Sequence, residues 1–116
     1  MATLTVALLF GLAASEARAG IAFVKNIGTN QSQTSGTSIA VSVPAAGVAA
    51  GNTVIVTFAM DPVSGSVTCA DTKGNTYTLD ADVMNGTSGS GNGVRTVVFS
   101  APVTTALVSG NTITVS

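Results

Sequence analysis

The side chains that could carry chemistry are few. Asp71, Asp80 and Asp82 fall on or beside one stretch, and Asp80-x-Asp82 would place two carboxylates on the same face of an extended strand. Exported β-modules can hold Ca²⁺ through such oxygens, with about six to eight ligands in all. The EF-hand loop pattern does not occur, so the three aspartates stand as Ca²⁺ candidates of low specificity beside the plainer reading of solvated surface carboxylates. Cys69 is alone, which excludes an intrachain disulfide. In Val67-Thr68-Cys69 it reads as a small buried hydrophobe, the alternative being a thiol that pairs with another chain. The chain has no His, which removes the commonest general base, the usual triads and most transition-metal sites. Gly86-Thr87-Ser88-Gly89-Ser90-Gly91 is linker-like and not a nucleophile elbow, and no Lys and helix follow it to cradle a phosphate. These absences argue against an enzyme and predict no catalytic residue and no cofactor. Sugar faces stack on exposed aromatic rings; Trp is absent and Tyr77 reads as inward-facing, so only a loop-based carbohydrate site stays open. Asn30-Gln31-Ser32 and Asn85-Gly86-Thr87 match the glycosylation acceptor pattern, which matters only in a eukaryotic secretory route.

Behind these residues stands a chain of 116 residues, room for one domain. Its residues are 46% apolar but only 8% charged, and the formal charge is −1, so it offers no electrostatic handle for nucleic acid or an acidic membrane surface. Residues 1–19 read as a Sec-type signal peptide. Leu4–Ala14 is an apolar run too short for the roughly 20 residues a bilayer span needs. Ala17-Arg18-Ala19 then gives the small-x-small cleavage pattern, with Gly20 as the first mature residue. Met1-Ala2-Thr3 carries no Lys or Arg, which leaves room for a start further upstream; a retained N-terminal helix is the alternative. The expected location is secreted, extracellular or on the cell surface, with no membrane span.

From Gly20 onward strand signals recur at short intervals. Ile21–Ile27 is the first, followed by a polar loop, Gly28–Gly36. Thr37–Val43 alternates, with Ile39, Val41 and Val43 inward, and Pro44 ends it because proline has no N–H for the ladder. Gly51–Met60 is the most apolar stretch, with Val54, Val56, Phe58 and Met60 on one face, and its pattern suits the middle of a sheet. Ser66–Cys69 and Thr76–Asp82 read as two arms of a hairpin around Asp71-Thr72-Lys73-Gly74-Asn75, with Tyr77 and Leu79 inward. Asn85–Gly93 reads as a mobile Gly/Ser loop, Val94–Ala101 as a strong strand stopped by Pro102, and Thr112–Ser116 as a last strand.

This gives about seven short strands and no helical period. The expected fold is all-β: a two-sheet antiparallel sandwich of immunoglobulin-like or Greek-key type, with a jelly roll or small barrel as the alternative. An internal echo adds to this. Ser42-Val43-Pro44 and then Gly51-Asn52-Thr53-Val54 are matched by Ser100-Ala101-Pro102 and then Gly110-Asn111-Thr112-Ile113. The two units read as equivalent crossovers between sheets, with Val48 and Leu107 plugging the core. The first unit's strand continues through Thr57–Met60 where the second stops, so the domain, 20–116, reads as truncated at its C-terminus, a piece of a longer protein.

Thr37-Ser38-Ile39, Val43 through Asn52, Asp71-Thr72-Lys73-Gly74-Asn75-Thr76-Tyr77 and Val94-Arg95-Thr96 together resemble Ig-like β-sandwich modules of bacterial exported and cell-surface proteins. Asn52 and Asn111 depart from the Asp expected at the crossover turns. The resemblance implies a non-catalytic structural or adhesive module of a larger exported protein, with other domains of the same polypeptide, neighbouring subunits or surface glycans as partners. A self-assembling filament or pilus subunit, whose Ile21–Ile27 strand completes a neighbour's sheet, is the alternative reading. A carbohydrate-binding module is the third.

Overall fold

The computed structural model describes residues 20–116; the expected signal peptide lies outside the described residues. Among them the chain is all-β with no helix. It forms six strands: β1 (Ile39–Ser42), β2 (Thr53–Met60), β3 (Cys69–Asp71), β4 (Thr78–Gly86), β5 (Gly93–Pro102) and β6 (Thr112–Val115). They build two antiparallel three-stranded sheets, ordered β1-β6-β3 and β2-β5-β4, in a sandwich-like arrangement.

Period-two alternation decides which side chains meet between the sheets. Val97, Phe99 and Ala101 of β5 alternate inward and are buried, with Val97 at 0% exposure. Ile113 and Val115 of β6 face them from the other sheet and are also buried. The core falls into two adjoining clusters. One joins Val43, Val48, Val54, Val103, Leu107 and Ile113; the other joins Val97, Phe99 and Val115. Val56, Cys69 and Tyr77 pack against both.

The internal echo corresponds to a physical pair. The segment after β1 carries the chain from the first sheet to the second, and the segment after β5 carries it back. Because Ser42 pairs with Thr112 and Thr53 with Pro102, both crossovers lie at the same end of the sandwich. They run antiparallel and are tied by reciprocal bonds, Val48 N–H to the Leu107 carbonyl at 2.7 Å and Leu107 N–H to the Val48 carbonyl at 2.9 Å. Val48 and Leu107 are both buried and cap that end of the core. The restart turns are equivalent as well. Gly51 (φ 89°) and Gly110 (φ 85°) occupy the left-handed region that only glycine enters at little cost. Asn52 Nδ2 donates to the Ala49 carbonyl, and Asn111 Oδ1 accepts from Val108 N–H. Pro102 is harmless at the end of a central strand because β4 begins at Thr78, opposite Ser100, and no neighbour asks for its missing N–H.

Five expectations are corrected. Ile21–Ile27 is not a strand: it pairs with no other segment, so six strands and not seven are present among the described residues. Ser66–Cys69 and Thr76–Asp82 do not form a hairpin. β3 pairs with β6 and β4 with β5, so the Asp71–Asn75 turn passes between the sheets instead of joining neighbours. β4 and β5 form the hairpin, and strand pairing runs into the Gly-rich stretch as far as Gly86 opposite Gly93. Finally, β2 is an edge strand and β5 the centre of its sheet. Hydropathy favoured β2 as the middle strand, yet only Val54 on its inner face is buried, while Val56, Phe58 and Met60 are half-buried. Of the two side chains expected inward before Asp80, Tyr77 is half-buried, but Leu79 is exposed although it lies opposite Phe99.

Candidate functional site

The densest polar grouping is built on the turn after β3. Asp71 faces the interior because it lies opposite Ile113, two residues along the strand from Cys69. Its Oδ1 accepts from Lys73 N–H at 2.8 Å and Asn75 N–H at 3.2 Å, closing an Asx-type turn. Its Oδ2 accepts from Asn75 Nδ2 at 2.9 Å and from the Tyr77 hydroxyl at 3.1 Å. Asn75, at 5% exposure, reaches the second crossover. Its Oδ1 accepts from Thr104 N–H, Thr104 Oγ1 and Thr105 N–H, and its Nδ2 donates to the Thr105 carbonyl as well as to Asp71. Both Asn75 amide hydrogens are spent, and Asp71 accepts four bonds, about the full capacity of a carboxylate.

These contacts set the titration. Burial alone would raise the Asp71 pKa, but the bonds from Asn75, Lys73 and Tyr77 outweigh it and hold the carboxyl below its ordinary value. Burial, together with the Asp71 charge, pushes the Tyr77 hydroxyl well up. Burial first and Asp71 second push the Cys69 thiol up to about 11. At neutral pH Cys69 is therefore a protonated thiol and not a nucleophilic thiolate.

A second grouping closes the far end of the same side. Arg95, at 6% exposure on the inner face of β5, grips Asp82 with two bonds, Nε to Oδ1 at 2.8 Å and Nη2 to Oδ2 at 2.6 Å. Its Nη1 donates to the Val63 carbonyl at 2.7 Å and fixes the loop after β2. The hydrogen bonds from Arg95 hold Asp82 below the usual carboxylate range.

The three aspartates considered for Ca²⁺ are not brought together. Asp71 is occupied in one sheet and Asp82 by Arg95 in the other, while Asp80 sits in a bulge between Leu79 and Ala81. That bulge also breaks the simple period behind Asp80-x-Asp82. Among the described residues no three His, Cys, Asp or Glu side chains group as metal ligands, and no buried side-chain polar atom lacks a partner. Asn30 Nδ2 donates to the Ala40 carbonyl, and Asn85 lies within β4 opposite Val94.

The sequence marks Asn75 as a turn residue but not its reach to Thr104 and Thr105, and it does not mark Arg95. The spacing Asp71-x-x-x-Asn75-x-Tyr77 carried a turn signal, but nothing local marked Thr104 and Thr105, whose contact with Asn75 spans 29 and 30 residues.

The opposite side is different in kind. A groove of about 1140 Å³ opens between β1 and β2, lined by Ile39, Val41, Val54, Val56 and Phe58, with Ile113 and Val115 behind them. Segment 21–30 runs along its mouth. No protein-family model, curated protein or solved structure matches the chain.

Proposed function

We propose that this chain is a non-catalytic structural or adhesive β-sandwich module of an exported, surface or extracellular protein. The observation that supports it best is the use of its reactive groups. Asp71, Asn75, Tyr77, Asp82 and Arg95 are consumed in bonds that fasten strands and crossovers to one another. What is left facing solvent is mostly Thr, Ser, Asn and Gly together with exposed apolar side chains such as Ile55, Val83 and Val108, a surface suited to neighbours.

The kinship we propose with Ig-like modules is one of architecture. An immunoglobulin constant-type domain without its first strand has the order 1-4-3 and 2-5-6, whereas here the fourth and sixth strands have exchanged places. Export rests on the Leu4–Ala19 pattern. Expression of the full chain in a bacterial host should yield an extracellular or surface-bound product whose mass begins at Gly20. Retention in the cytosol with residues 1–19 intact would overturn this reading.

The filament or pilus reading is kept as a second proposal because of one observation: Ile21, Phe23 and Val24 are apolar, exposed and outside any strand, in a segment along the groove beside the free edge of β2.

A further inference from the structure

The two edges of the second sheet are treated differently. β4 carries the features by which natural proteins discourage edge pairing: a bulge at Asp80, an inward-pointing charge at Asp82, and a Gly-rich turn at its end. β2 carries none of them. Thr53–Met60 has no charge, no proline and no bulge, and it pairs with β5 in unbroken register over its whole length. The bond from Val103 N–H to the Asn52 carbonyl sets the phase of that ladder. With this phase Val54, Val56 and Phe58 bond to β5, and Ile55, Thr57 and Ala59 turn their N–H and C=O groups to the free edge. Those groups have no backbone partner among the described residues. A long, flat, apolar edge of this kind is a template for another strand.

The chain carries a segment with the matching chemistry that its own fold leaves uncovered. Asn30 is tied to the Ala40 carbonyl and Lys25 Nζ to the Ala46 carbonyl at 3.0 Å. Followed back from Asn30, the chain therefore passes along β1 toward the crossover end. Ile27 packs on the core there. Ile21, Phe23 and Val24 go on with their side chains in solvent, 106%, 86% and 68% exposed.

Building on the module reading, we propose that Ile21–Lys25 of one copy adds as a strand to the free edge of β2 in a second copy. Ile21 and Phe23, two residues apart, share a face and enter the groove over Val56 and Phe58, while Val24 faces outward. The donor's backbone supplies the partners that Ile55, Thr57 and Ala59 lack. The contact is heterologous, so copies can continue head to tail unless the geometry closes a ring.

Two variants of the full chain separate donor from acceptor. Phe23→Asp spoils the donor segment. Thr57→Pro removes an edge N–H without taking a bond from β5. Sedimentation equilibrium over a concentration series should show the parent associating and Phe23→Asp weakened about thirtyfold or more. Thr57→Pro alone should likewise be monomeric, and an equimolar mixture of the two variants should give 1:1 heterodimers, one copy donating to the other's intact edge. If Thr57→Pro fails to melt cooperatively, Ile55→Pro takes its place by the same reasoning. A parent chain monomeric throughout, association unchanged in Phe23→Asp, or no heterodimer from the mixture would each overturn the proposal. The module reading fails on a separate observation, cytosolic retention of the uncleaved chain.

Discussion

The sandwich has two flanks, and they are built on opposite principles. Along the β3/β4 flank, polar side chains lock the sheets together. Asn75 ties the turn after β3 to the second crossover, and Arg95 ties β5 to β4 and to the loop after β2. Along the β1/β2 flank the sheets are held by the crossovers at one end only, and a groove with apolar walls runs between their edges. The difference shows how a domain with few charges uses them. Asp71, Asp82 and Arg95 all act on the closed flank, and the open flank keeps the only long uncharged edge of its sheet.

The largest expected effect breaks the closed flank. Asn75→Leu leaves Asp71, the Thr104 and Thr105 N–H groups and the Thr105 carbonyl short of partners, and the penalty for buried unmade bonds is about 1–3 kcal/mol per group. A loss of about 3 kcal/mol or more in urea unfolding is expected. A loss under about 1 kcal/mol would show that the latch does not hold that flank.

Next comes a pair of truncations that compares the flanks directly. Phe99→Ala empties a fully enclosed site and should cost about 3–5 kcal/mol, whereas Phe58→Ala, half-buried at the groove, should cost about half as much. Equal losses would mean that the groove is packed shut in solution.

The pH dependence follows from the same contacts. Asp71 and Asp82 have folded pKa values below their unfolded ones, so their contribution is present above the unfolded value, about 3.9, and is lost as pH falls through the folded values. Cys69 and Tyr77 are shifted upward, so their contribution is complete below their unfolded values and is lost as pH rises through the folded ones. Melting temperature should therefore be flat near neutrality and fall at both extremes. Asp71→Asn should flatten much of the acid limb, and an unchanged acid limb would assign it to other groups.

The smallest expected effect is local. Amides of Ile55, Thr57 and Ala59 should exchange with solvent faster than those of Val54, Val56 and Phe58 in the same strand, measured in dilute monomer. Uniform protection along β2 would mean that its outer edge is already paired.

Much of the frame was legible in the chain itself. Alternation located β1, β2, β5 and β6 to within a few residues, because half-buried strands must place apolar groups at every second position. The repeated Pro, Gly-Asn pattern identified two equivalent crossovers capped by Val48 and Leu107, and they meet in the fold. Local pattern could not say which strands become neighbours. Ser66–Cys69 and Thr76–Asp82 are close in sequence with turn residues between them, yet β3 and β4 join different sheets. The candidate site divided in the same way: the pattern turns Tyr77 inward, where it is half-buried, but the partners of Asn75 and Arg95 lie far along the chain.

What the sequence determined alone was the strand type of β1, β2, β5 and β6, the stops near their ends, and a reactive inventory without His and with one Cys. These follow from side-chain chemistry and from interactions within a few residues. Only the tertiary structure decided that β5 and not β2 is central, that Asp71 and Asp82 serve as internal fasteners, and that one edge is left open. Those outcomes depend on pairings between distant segments, and the free energy of a pairing depends on both partners at once.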